Sequence, residues 1–152
     1  MTKVYIETSA LGFYFDDRFP KIRDTIRLLL VRVQAGELDA FTSEATLEEV
    51  RGARADLAAR LVAVVQQSGM PVLPVSRKAE LLAEAYVQAG IVPEDYADDA
   101  THLAVSVLEG ADLLVTYNLK HFANPRAIQR INAFNTSHRL RLVEIRTPDK
   151  VP

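Results

Sequence analysis

The stretch DDATHLAVSVLEGADLLVTYNLKHF, residues 98–122, decides how this chain folds. Its first half carries apolar residues at helical spacing, which predicts a helix from about Asp95 to Leu108 that stops at Gly110. Its second half opens on Leu113–Tyr117, nearly all apolar and β-rich, which reads as a buried parallel strand. A helix that feeds a buried strand through a glycine turn is a unit of a parallel α/β sheet.

Outward from there the same alternation repeats. Lys3–Ile6 reads as a strand, and Thr8 or Ser9 is placed to cap a short helix through Phe15. Pro20 starts an amphipathic helix with Ile22, Ile26, Leu29, Leu30 and Val33 on one face, ended by Gly36. Leu38–Thr42 is a second strand, and Ser43 is a good N-cap for the helix that carries Glu48 and Glu49. After Gly52 comes a helix with Leu57, Leu61, Val64 and Val65 on one face, then a short strand within Pro71–Val75. Ser76 caps a helix to Ala89, Asn124 and Pro125 start another through Phe134, and Leu140–Ile145 supplies a last strand. The prediction is an α/β three-layer sandwich with a mostly parallel central sheet. With 152 residues, no internal repeat and no long linker, residues 1–152 are expected to form one domain.

Composition narrows the function classes. No cysteine is present, so a disulfide framework and a thiolate metal site are excluded, and any metal must use oxygen or nitrogen ligands. No stretch has the layout of a signal peptide or approaches the ~20 apolar residues of a membrane span, so a cytoplasmic protein is expected. Neither a dinucleotide glycine fingerprint nor a Walker A loop occurs. The net charge is −2, yet Lys120, Arg126, Arg130, Arg139, Arg141 and Arg146 face a single acid, Glu144, in the C-terminal stretch. That imbalance suits a phosphate backbone; it also suits a solvated helix face.

Three acids stand out because their predicted positions, just past strand ends or at helix starts, converge on one sheet edge. Glu7 ends the first strand, Glu49 lies on the first turns of its helix, and Asp99 opens the helix of the deciding stretch. Carboxylates gathered there repel one another unless a cation is present, which points to a divalent metal ion and to an enzyme. Each acid also has a structural reading, as a surface acid or as a favourable charge at a helix N-terminus. Glu44 and Glu48 share a face and suit a solvated pair, leaving Glu49 for the site. Asp99 lines up one turn before Leu103, near the buried face, whereas Asp98 lies further round. His102 can pair with either acid, contact substrate, ligate metal or be structural. Asn118 can ligate a hard cation, position a water or simply turn the chain. Lys120 and His121 beside it can meet phosphate oxygens. Thr8 and Ser9 read first as caps, with a possible supporting role behind a metal ligand.

Taken in order, VYIETSALGFYF, TSEATLEEV and DDATHLAVSVLEGADLLVTYNLKHF resemble the four acidic motifs of the PIN-domain family. That family comprises metal-dependent ribonucleases and includes VapC-like toxins of toxin–antitoxin pairs. The resemblance spans nearly the whole chain and implies a PIN-like fold and an endoribonuclease. It further implies Mg²⁺ or Mn²⁺ held by Glu7, Glu49 and Asp99 with Asn118 assisting. Lys120, Arg126 and Arg130 are implied as RNA contacts, and Thr8, Ser9, Asp98, His102 and Thr116 as supporting residues. A protein antitoxin and a homodimer follow from the toxin analogy. Two positions depart from the pattern: Glu7 stands where the family has Asp, reaching roughly 1.5 Å further, and Asn118 stands where it has an acid. These departures keep open a binding module for RNA or protein with weak or lost catalysis. A metal-dependent phosphatase is a third reading.

Overall fold

Val4, Tyr5 and Ile6 are completely buried, and the two-residue period of strand β1 (Lys3–Ile6) sends them to opposite sides. Val4 and Ile6 enter one apolar cluster and Tyr5 the other. A strand buried on both faces belongs at the centre of a sheet, and β1 is the central strand. In the computed structural model, which describes residues 1–152, β1 pairs in parallel with β2 (Asp39–Ser43) and with β4 (Leu113–Val115). β3 (Val72–Leu73) lies outside β2 and β5 (Glu144–Arg146) outside β4, giving the order β3-β2-β1-β4-β5 with every neighbour parallel.

Helices α1 (Thr8–Leu11), α2 (Pro20–Gln34), α3 (Glu44–Arg51) and α4 (Ala55–Ser68) supply the cluster around Val4 and Ile6. Helices α5 (Arg77–Gln88), α6 (Ala97–Leu108) and α7 (Pro125–Ser137) supply the one around Tyr5 and Leu114. This is the three-layer α/β sandwich expected from the sequence, with a sheet that is wholly parallel. Gly110, at φ 75°, makes the left-handed turn between α6 and β4 that a Cβ would strain. The chain leaves β1 on one side toward β2 and returns on the other as β4. Between β1 and β4, therefore, the connections diverge, and in parallel α/β sheets sites form at the carboxyl ends beside such a switch point. No helix is long and apolar enough to cross a membrane.

The structure revises several predicted boundaries. The helix after β1 stops at Leu11 rather than Phe15, and its cap is Glu7, whose side chain accepts the Ser9 N–H. Thr8 and Ser9 do not cap it. Ser43 occupies the N-cap position of α3 without capping it through its side chain, because its hydroxyl pairs with the Tyr5 hydroxyl at 2.7 Å. β4 ends at Val115, not Tyr117, since the Tyr117 N–H turns to the Ser9 hydroxyl at 2.8 Å. The last strand begins at Glu144 rather than Leu140. Glu144 pairs with Leu113, the first residue of β4, so residues 140–143 have no strand edge to join. The predicted caps at Ser76 and Asn124 are present, with Ser76 Oγ accepting from Ala79 N and Asn124 Oδ1 from Ala127 N.

Leu114 lies in the middle of β4 with no exposed surface. Leu114→Ala is expected to cost about 2–5 kcal/mol, read as a lower urea midpoint.

Candidate functional site

Glu7 directly follows β1 and is 4% exposed. A bare carboxylate at that depth would be costly, and this one is matched by donors. Its Oε1 accepts the Thr116 hydroxyl at 2.7 Å, the Ser9 N–H at 3.1 Å and the Ser9 hydroxyl. The same two hydroxyls serve the chain leaving β4. Ser9 Oγ accepts the Tyr117 N–H, and Thr116 Oγ1 accepts the Asn118 N–H at 2.9 Å. The Thr8 side chain makes no hydrogen bond, and its hydroxyl is buried without a partner.

Glu49 reaches the same edge from α3 with its side chain 34% exposed, and its Oε1 pairs with His102 Nε2. His102 is fully buried on α6, and its Nδ1 meets the Tyr5 hydroxyl at 2.7 Å. Tyr5 continues to Ser43, so one polar chain runs Ser43–Tyr5–His102–Glu49. His102 thus pairs with neither Asp98 nor Asp99. α6 directs it at β1, where Glu49 arrives from the neighbouring helix. Burial opposes a charge on this imidazole, but Tyr5, Glu49 and Glu7 together outweigh it and push His102 up to about 10.

Asp99, with a side chain 20% exposed, uses Oδ2 for His121 Nδ1 at 2.7 Å and for the Asn118 amide nitrogen at 3.0 Å. The Asn118 oxygen accepts the His121 N–H at 2.9 Å. Asn118 therefore meets Asp99 through its nitrogen, while its oxygen closes the turn after β4. Asp98 is exposed one position round the helix.

In all three acids the protein donors converge on a single oxygen. Glu7 Oε2, Glu49 Oε2 and Asp99 Oδ1 accept nothing from the protein. No group of three or more carboxylates or imidazoles stands close enough to enclose an ion. The donors nonetheless fit a hard cation in kind, because Mg²⁺ is commonly held by one or two carboxylates with waters and substrate phosphates. Beside Glu49 the surface dips into a depression of about 580 Å³ lined by Glu44, Glu48, Glu80 and Asp98 as well. Glu48 thus shares the depression with Glu49.

The basic residues divide. Lys120 and Arg126 are exposed and in no ion pair, whereas Arg130 donates to the Gly90 carbonyl at 2.5 Å and ties α7 to the end of α5. Arg141 and Arg146 pair with Asp112 and Glu144. Much of the C-terminal positive charge is therefore engaged within the fold.

Two polar residues of the network, Tyr5 and Ser43, were not read as site residues, and His121, expected at phosphate oxygens, is bonded to Asp99 instead. Tyr5 carried a legible signal, since a tyrosine in a buried strand needs a partner for its hydroxyl and shares a face with Glu7 two residues on. His121 was legible only as a neighbour of Asn118, because its partner Asp99 lies 22 residues earlier.

No family model matches the sequence, and no curated protein does. Solved structures with a similar fold exist. One is a chain of VapBC2 from Rickettsia felis, a complex bound to a DNA fragment from its promoter. It has 13% identity over 96% of this chain and 98% of that chain, with a TM-score of 0.59. Another is Mycobacterium tuberculosis VapC20, a sarcin-ricin-loop-cleaving toxin. It has 19% identity over 78% of this chain and 92% of that chain, with a TM-score of 0.55. The chain has the VapC-type, PIN-like fold that its four motifs resemble.

The folded state holds the His102 proton up to about 10, while a free imidazole releases it near 6.5. The stabilisation is therefore complete below the free value and is lost as pH rises through the folded one. Urea midpoints taken from about pH 6 to pH 10 should fall, and His102→Gln should flatten the decline. A flat wild-type profile would mean that His102 is neutral in the fold.

Proposed function

We propose that this protein is a metal-dependent endoribonuclease that hydrolyses RNA phosphodiester bonds as the toxin of a toxin–antitoxin pair. The observation that supports this reading is the one-sided hydrogen bonding of the three acids. Each carboxylate is steered through one oxygen by the protein, and the second oxygen is left for something the protein does not supply. Glu7, Glu49 and Asp99 would hold Mg²⁺ or Mn²⁺. When bound, the ion supplies Lewis-acid polarisation of a phosphate oxygen and acidifies a water.

The chain's own groups do the rest. Thr116 and Ser9 fix the Glu7 carboxylate, and the Asn118 amide and His121 fix that of Asp99. Such second contacts orient the groups that bind a metal. Lys120 and Arg126 are free to meet the RNA backbone, whereas Arg130 would have to release Gly90 first. A protein antitoxin covering this edge and a homodimer belong to the same proposal, by analogy with the fold.

A second reading draws on the absence of a three-acid cage. In it the domain binds RNA or a protein partner without cleaving. The two readings separate on Mn²⁺ calorimetry paired with an RNA-cleavage assay. The nuclease is expected to bind about one ion, and Asp99→Asn is expected to lose both binding and cleavage. Thr116→Val, which removes only a support of Glu7, should lower activity by about 10- to 100-fold. A folded wild type that binds no Mn²⁺ with RNA present and leaves the RNA intact would sink the nuclease in favour of the binding module.

A further inference from the structure

Tyr96 is a large aromatic side chain, 46% exposed, on the short 3₁₀ turn Glu94–Tyr96 that leads into α6. It stands three residues before Asp99. Its ring packs edge-on against the His121 ring, with centroids 4.5 Å apart and planes at 61°. His121 is in turn bonded to Asp99, so a single imidazole separates this ring from one of the acids of the site. The Lys120 ammonium lies 5.5 Å from the centre of the Tyr96 ring. The other exposed aromatic, Phe19, packs on Phe13 and Arg18.

The fold itself gives this arrangement no evident task. An exposed ring held by an imidazole is not needed to fill a core, and its hydroxyl makes no hydrogen bond within the protein. The His121 Nε2 atom is buried and also has no partner. A nucleobase offers a π face to the tyrosine. A phosphate offers no π face. It would also meet Glu94, Asp95 and Asp98, which are exposed near the ring and in no ion pair.

We infer that Tyr96, held by His121 and flanked by Lys120, is a stacking platform for an unpaired RNA base next to the scissile phosphate. Stacking on an aromatic ring is tolerant of sequence and suits a single strand. The platform would hold one base while Lys120 neutralises a backbone charge nearby. Its position beside Asp99 would bring the adjoining phosphodiester to the carboxylates. This inference rests on RNA being the substrate.

The chain contains no tryptophan, so Tyr96→Trp installs a lone fluorescent indole at the platform. Binding is measured in EDTA, which separates it from cleavage, with oligouridylate and with an abasic ribose-phosphate strand of equal length. The expected result is quenching of the indole by oligouridylate and none by the abasic strand. In parallel, Tyr96→Ala should weaken oligouridylate binding by about 5- to 150-fold, and Tyr96→Phe should keep it within about twofold. Equal binding by wild type and Tyr96→Ala, or equal quenching by both strands, would overturn the platform and leave the ribonuclease reading standing. Quenching by an arginine-rich peptide but not by oligouridylate would overturn it in favour of a protein contact. A folded wild type that neither binds nor cleaves RNA would overturn both.

Discussion

Removing water from the Glu7 carboxylate is the constraint on which this edge of the molecule depends. β1 is buried on both faces, so the residue that ends it has little access to solvent, and an ionised side chain there must find donors in the protein. Ser9 and Thr116 provide them. Because those hydroxyls also accept the Tyr117 and Asn118 N–H groups, the satisfaction of one charge also determines where β4 ends. The turn that follows carries Asn118 and His121 to Asp99. A carboxylate, two strand ends and a second acid are thereby coupled through a few short hydrogen bonds.

Each of the three carboxylates at this sheet edge has its own partners within the protein. Glu7 has hydroxyl and amide donors, Glu49 has the His102 imidazole, and Asp99 has an imidazole and a side-chain amide. The asymmetry of their hydrogen bonds is the more telling feature. Full compensation by the protein would engage both oxygens of an acid, and here one oxygen of each is left open. The same edge is strongly acidic on the Glu49 side and presents Lys120 and Tyr96 on the Asp99 side.

Much of this was legible because helix and strand periods are local. The alternation of Lys3–Ile6, the helix from Pro20 and the caps at Ser76 and Asn124 each depend on residues within a turn or two, and each occurs in the fold. The choice of Asp99 over Asp98 was equally local, since helical geometry places only one of them near the buried face. Hydroxyl groups were the recurrent difficulty. Ser9 and Ser43 sit where a cap is expected, yet their hydroxyls meet the Tyr117 N–H and the Tyr5 hydroxyl, 108 and 38 residues away in sequence. Arg130, which reads as a free cation on an amphipathic helix, is similarly taken by a carbonyl 40 residues earlier.

The sequence by itself determined the succession of strands and helices, the parallel sense of the sheet and the residues that arrive at its carboxyl edge. Those follow from periodicity and from the helices that cross over between successive strands, which bring every strand end to the same side. Only the tertiary structure decided which polar groups face one another across that edge. A pairing such as His102 with Glu49, or His121 with Asp99, joins elements far apart in the chain. It is selected by burial, which penalises any polar atom left without a partner and has no period along the chain.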